Sequence, residues 1–295
     1  MYSVPLRFIE DTINLLDRRE GTKPYKPLCH LRSRWGIVAN REIDAHFTHL
    51  LEIRLWNDED SRTTRFAVTK DLGRQQLYWD EVYSTRARVT RVEFVEFNYD
   101  YEYEEFEELN PENLKRLRSI LARNIYPTGV NLHYPADFNE ELVAQLVTSV
   151  TRINYFQCDY VSAGLVRTTL EHALSRGPVA SFFRRGWFEI TQETLRLVDQ
   201  LVSSPHIRVL ELQVASSSPI SADTCMEMIF DRLEKSRFVR RVEFYGPLER
   251  SEALLKRAEQ MGFWFQYVPE MEGSYPGFIR VHCSIDDDHV CLTDS

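Results

Sequence analysis

Glycine is scarce in this sequence, 11 residues in 295. None of it falls in a phosphate-cradling loop ending in Lys-Ser/Thr or in a Gly-x-Gly-x-x-Gly fingerprint. His-Glu-x-x-His and Gly-x-Ser-x-Gly are missing as well, which removes the contiguous motifs of zinc hydrolases and serine esterases. Catalysis would then require residues that assemble only in space, and the expectation is a protein without enzymatic activity, cofactor or metal. No run of about 18 apolar residues occurs, and the first twenty residues carry Arg7, Glu10, Asp11, Asp17, Arg18, Arg19 and Glu20, so neither a membrane span nor a secretory leader is expected. The five cysteines, Cys29, Cys158, Cys225, Cys283 and Cys291, are odd in number and scattered, which suits free thiols in a reducing compartment. Positive charge is in deficit: 36 Lys and Arg against 45 Asp and Glu leave a net charge of -9. Binding to nucleic acid or to anionic lipid needs clustered cations, so neither partner is expected, and the location expected is cytoplasmic or nuclear.

What the chain does contain is a repeated phrase, an arginine, a branched apolar residue, a polar residue and a large apolar one. It reads Arg91-Val92-Glu93-Phe94, Arg152-Ile153-Asn154-Tyr155 and Arg241-Val242-Glu243-Phe244, with a variant Val209-Leu210-Glu211-Leu212. From Val92, Ile153, Leu210 and Val242 the intervals are 61, 57 and 32 residues, close to multiples of about 30, the period of stacked repeats. Each phrase alternates as a half-buried strand does. Most follow a stretch with leucines at helical spacing. The fold class expected is therefore α/β, a leucine-rich-repeat-like solenoid with a curved parallel sheet and its helices on one face.

Residues 1–45 differ, with two amphipathic runs around a Gly21 to Pro27 break that no helix continues through. Residues 46–108 read as strand-rich, with strands at Leu50 to Trp56, Thr64 to Thr69, Gln76 to Tyr83 and Val89 to Tyr103. Helix-strand units fill 109–270, opened by Asn110-Pro111, a cap followed by a first-turn proline. Their strands are expected near Val130 to Tyr134, Ile153 to Gln157, Val179 to Phe183, Ile207 to Val214, Phe238 to Tyr245 and Phe263 to Val268. A terminal strand and an acidic tail complete 271–295.

The opening Ser3-Val4-Pro5-Leu6-Arg7-Phe8-Ile9, with Leu31-Arg32-Ser33-Arg34-Trp35, resembles a divergent F-box, and the helix-strand units behind it resemble the large nematode-expanded F-box families. That resemblance implies a substrate-recognition adaptor of a cullin-RING ubiquitin ligase, docking on a Skp-type adaptor through residues 1–45 and holding a protein substrate on the repeats. Under it Val4 and Pro5 match the family's Leu-Pro pair. Phe8, Ile9, Ile13 and Leu16 match its apolar face, and Trp35 matches its tryptophan. An interaction scaffold with a degenerate box is the alternative, since Arg32 stands where the family has cysteine.

Partner contacts are expected on the sheet face away from the helices, where alternation puts Glu93, Asn154, Glu211 and Glu243 beside Arg91, Arg152 and Arg241. Neighbouring Glu and Arg rows that only neutralise one another are the competing account. Arg184, Arg185 and Trp187 are further contact candidates, being residue types that anchor interfaces. The run from Glu93 to Glu108 holds eight carboxylates and no Lys or Arg, a surface for a basic peptide or simply a solvated strand. His46 with His49, and His282, Cys283, His289 and Cys291, offer donor atoms without a familiar metal spacing.

Overall fold

A computed structural model of the chain describes residues 9, 12, 28, 30, 31, 33–40, 50–58, 63–70, 75–77, 79, 82, 88–95, 107–124, 126–133, 138–159, 161–236, 241–247, 251–262, 264–268 and 278–282. The β-branched and aromatic segments pair into one sheet that does not close on itself. Its strands are β1 (Leu50–Asp58), β2 (Thr63–Lys70), β3 (Gln75–Gln76), β4 (Arg88–Phe94), β5 (Glu107–Glu108), β6 (Thr128–Leu132), β7 (Ile153–Asp159), β8 (Ser181–Phe188), β9 (Val209–Val214), β10 (Arg241–Tyr245), β11 (Trp264–Val268) and β12 (Phe278–His282). Across the sheet the order is β11-β12-β10-β9-β8-β7-β6-β4-β1-β2-β3, with β5 paired to β2. From β1 through β4, β6, β7, β8 and β9 to β10 every pairing is parallel.

One helix separates each successive pair of these strands from β4 onward: α1 (Pro111–Arg123), α2 (Glu140–Val147), α3 (Ala163–Arg176), α4 (Gln192–Val202) and α5 (Ala222–Ser236), with α6 (Ser251–Gln260) leading to β11. Each helix packs against the next, as right-handed crossovers between adjacent parallel strands require. Five of them start at a polar cap, Ser221 accepting from the Thr224 N–H at 3.2 Å ahead of α5. Asn110, Asn139, Ser162 and Thr191 accept from the first free amides of α1, α2, α3 and α4, replacing partners those amides lack inside the helix. The stripes Leu117 and Leu121, Val143 and Leu146, Leu165 and Leu170, and Val198 and Leu201 are buried. They meet two rows of the sheet, Val92, Val130, Phe156, Phe182, Leu210 and Val242, then Phe94, Leu132, Cys158, Arg184, Leu212 and Phe244.

Three expectations change here. The strand expected at Gln76 to Tyr83 shrinks to Gln75–Gln76, and Trp79 and Val82 are helical. Trp79 packs on Phe66 with ring centroids 5.4 Å apart and donates to Glu107 Oε2 at 2.6 Å, a tie across the loop that strand geometry would not make. The strand expected to run on to Tyr103 ends at Phe94, and the alternating Phe97, Tyr99, Tyr101 and Tyr103 lie outside the described residues. The sheet is mixed, because β2 is antiparallel to β1 and β12 enters between β10 and β11 antiparallel to both. A chain that turns straight back in a hairpin pairs antiparallel, whereas parallel pairing needs a crossover.

The repeat interval also changes. The residues that align across the sheet, Val92, Val130, Phe156, Phe182, Leu210 and Val242, are 38, 26, 26, 28 and 32 residues apart. In β7 the aligned residue is Phe156, three beyond Ile153, because Thr128 pairs with Ile153 but Gly129 with Tyr155. Asn154 is the extra residue of that bulge. Apart from the main core, Ile9, Val38 and Ala39 form a separate buried cluster, with Leu28 and Trp35 packed against it and residues 34–40 helical.

Candidate functional site: the polar face of the sheet

Alternation that sends apolar side chains to the helices sends the intervening residues to the other face. The register aligns them as a row: Arg54, Glu93, Asn131, Gln157, Phe183, Glu211 and Glu243. A neighbouring row holds Arg91, Gly129, Tyr155, Ser181, Val209 and Arg241. Charges gather at the two ends of these rows, and uncharged residues fill the middle.

At one end Glu93 accepts from Arg54 Nε at 3.1 Å, Arg91 Nη1 at 3.3 Å and Asn131 Nδ2 at 2.9 Å, and Arg54 also donates to Glu52 at 3.2 Å. At the other end Arg185 Nε donates to Glu211 at 3.3 Å. Arg241 donates to Glu243 through Nε at 2.6 Å and also through Nη2, and the Tyr245 hydroxyl donates to the same carboxylate at 2.9 Å. Glu211 and Glu243 face each other on β9 and β10. Burial raises the Glu211 pKa, Arg185 lowers it and the charge of Glu243 raises it again. Two carboxylates on adjacent parallel strands resist joint ionisation, and the two arginines above them offset that cost.

In the middle the Tyr155 ring lies over Gly129, where a Cβ would sit 3.7 Å from it. The hydroxyl of Tyr155 donates to Gln157 Oε1 at 2.6 Å, and its ring centroid is 5.1 Å from that of Phe183. Desolvation raises the Tyr155 pKa, with Arg185 and Arg91 opposing. Where β6 and β7 end, His133 Nδ1 and Asp159 Oδ2 stand 2.6 Å apart.

Of the residues expected as partner contacts, Arg91, Glu93, Arg185, Glu211, Arg241 and Glu243 do come together on this face. Arg152 precedes β7, and Asn154 occupies the bulge, so Gln157 takes the row position expected for it. Arg184 is a correction: it aligns with Cys158 and Leu212 on the helix side and is 1% exposed. Its Nη1 donates to Arg185 O at 2.7 Å and Cys158 O at 3.3 Å, and its Nη2 to Val161 O at 2.8 Å, so a partner cannot reach it. After it the strand shifts register up to Phe188. Gly186 adopts φ 81°, a conformation glycine takes freely, and donates its N–H to Gln213 Oε1 at 2.7 Å. That bulge turns Trp187 outward to 48% exposure.

Of the expected adaptor contacts, Ile9 is buried in the small cluster and Trp35 packs on it. Val4, Pro5, Phe8, Ile13 and Leu16 lie outside the described residues, as do His46, His49, Cys283, His289 and Cys291. The sequence reading missed Arg54, Asn131, Tyr155, Gln157, Phe183 and Tyr245. The signal for two of them was an apolar-polar-apolar triplet without its leading arginine, Val130-Asn131-Leu132 and Phe156-Gln157-Cys158. Among the described residues no group of three or more His, Cys, Asp or Glu could hold a metal ion, and no helix is long and apolar enough to cross a membrane. Cys158 and Cys225 are free, and burial pushes each thiol up to about 12. No protein-family model matches the chain, and no curated protein matches it in sequence.

Proposed function

We propose that this chain is a substrate-recognition adaptor of a cullin-RING ubiquitin ligase, in which residues 1–45 dock on a Skp-type adaptor and a leucine-rich-repeat-like solenoid holds a protein substrate. The observation that carries the docking half is a small apolar unit with its own core. Ile9, Val38 and Ala39 are buried within it, while Leu31 and Ile37 stand 48% and 70% exposed. Among the described residues only three large apolar side chains are exposed, and these are two of them. Outward apolar side chains on a helical unit are what a partner groove takes up, and the unit coincides with the segment that resembles an F-box. For the holding half, the support is a row of strands in chain order whose helix-free face carries arginine, carboxylate, amide and aromatic groups together.

The second reading is an interaction scaffold that uses the sheet alone. It is favoured by the main core, which includes no residue from the small cluster. Co-purification of the full chain with a Skp-type adaptor tests the proposal, alongside a Leu31→Asp/Ile37→Asp variant whose changes lie on exposed side chains and so spare the fold. A complex that the variant loses is the expected result. A well-folded full chain that captures no adaptor leaves the scaffold reading.

A further inference from the structure

Three arginine-carboxylate pairs of the polar face share one layering, whereas Arg54, which also pairs with Glu93, is itself covered at 14% exposure. The side chain of Arg91 is 47% exposed and that of Glu93 11%; for Arg185 and Glu211 the values are 51% and 8%, and for Arg241 and Glu243 they are 44% and 4%. In each pair the carboxylate lies beneath and the guanidinium on top. The charge that the face offers to an approaching chain is therefore positive, although the pairs sum to zero. Among the described residues Arg91 donates to Glu93 through Nη1 alone and Arg185 to Glu211 through Nε alone. A guanidinium has five N–H donors in a planar fork, so each has donors left for an incoming carboxylate. A lysine side chain would find the carboxylates already covered.

From this layering we infer that the polar face binds an acidic peptide segment whose carboxylates meet Arg91 at one end and Arg185 with Arg241 at the other. The uncharged middle, with the Tyr155 and Phe183 rings, takes an apolar residue between them. Glu93 and Glu211, under the two ends, are four strand spacings apart, roughly 19 Å at about 4.8 Å per spacing. An extended peptide covers that in about six residues. The segment recognised thus has two acidic residues about six apart with an aromatic or leucine near the centre. Trp187, exposed beside Arg185, gives a second apolar contact at that end. This deepens the proposal above, since the segment would belong to the substrate that the repeats hold.

The test is fluorescence anisotropy of the full chain with a labelled peptide of about 12 residues carrying two glutamates so spaced around a phenylalanine, compared with peptides in which both glutamates are glutamine or lysine. The glutamate peptide is expected to bind about tenfold more tightly than the glutamine one, the worth of one charge-assisted hydrogen-bond set. An Arg185→Gln/Arg241→Gln variant should lose that preference, Arg185→Lys/Arg241→Lys should keep part of it, and Arg116→Gln, on the helical side, should keep all of it. Circular dichroism confirms that each variant is folded. Equal binding of the three peptides, a preference for lysine, a preference unchanged in Arg185→Gln/Arg241→Gln, or equally tight binding of a single-stranded DNA of similar length would each overturn the inference. Adaptor co-purification with the same variants keeps the two proposals apart. Peptide selection without adaptor capture sinks only the ligase reading, and adaptor capture without peptide selection sinks only this one.

Discussion

Arg184 and Arg185 are neighbours in sequence with opposite fates. Arg184 lies in the core rows among Cys158 and Leu212 and spends its donors on three main-chain carbonyls. Burial lowers its pKa from the ordinary arginine value, with Cys158 and Asp159 opposing. Truncation would leave a cavity and carbonyls without donors, so Arg184→Ala is expected to cost about 3 kcal/mol in urea unfolding, against little change in stability for Arg185→Gln on the half-exposed side. Equal effects would contradict the placement. Glu211 carries a pH signature. Its folded pKa lies above the ordinary 4.5, through burial first and the Glu243 charge opposite. Its contribution to stability is therefore fully present below 4.5 and is lost as pH rises through the folded value. Glu211→Gln does not titrate, so its urea midpoint relative to the wild-type chain should rise between about pH 4 and pH 7. A constant difference across that range would mean that Glu211 ionises as freely as in water.

At the scale of elements, α1 to α5 are each fixed at the start by a side-chain cap and along the length by a stripe that faces the sheet. Asn110 accepts from the Asn113 N–H at 2.9 Å, and Pro111 holds the first helical position of α1. At the other end of α1, Asn124 donates through Nδ2 to Val89 O and to Thr128 Oγ1, both at 2.8 Å, joining the helix end to β4 and β6. Asn110→Ala should destabilise the chain by about 1 kcal/mol, read as a lowered denaturant midpoint with an unchanged slope. No shift would mean that water caps α1 equally well. The caps and stripes were legible in the sequence, because Asn-Pro and the leucine spacing are local signals. The bulge that displaces Asn154 was not, since pairing register is decided by the strand alongside and not by the residues of β7 themselves.

Among the described residues the molecule holds two clusters of buried residues with no member in common, one spanning the sheet and its helices and one formed by Ile9, Val38 and Ala39. A chain lacking residues 1–45 is therefore expected to keep one cooperative unfolding transition and helix-strand circular dichroism. Aggregation of that shortened chain would overturn the separation. Cuts within 110–270 should do the opposite, because each helix rests on the next and removing one uncovers its neighbour's apolar stripe.

The sequence by itself determined the α/β class, the order of helices and parallel strands over 109–260, and the placement on the polar face of six of the ten residues singled out there, because alternation and helical spacing are properties of neighbouring residues. It did not determine that Arg184 turns inward, that Gln157 replaces Asn154 in the polar row, that Trp187 swings out at Gly186, or that β12 returns between β10 and β11. Those are matters of register, bulges and long-range strand order, set by which strands lie side by side. Only the tertiary structure, by stacking the three arginines above their carboxylates, decided which charge the polar face presents.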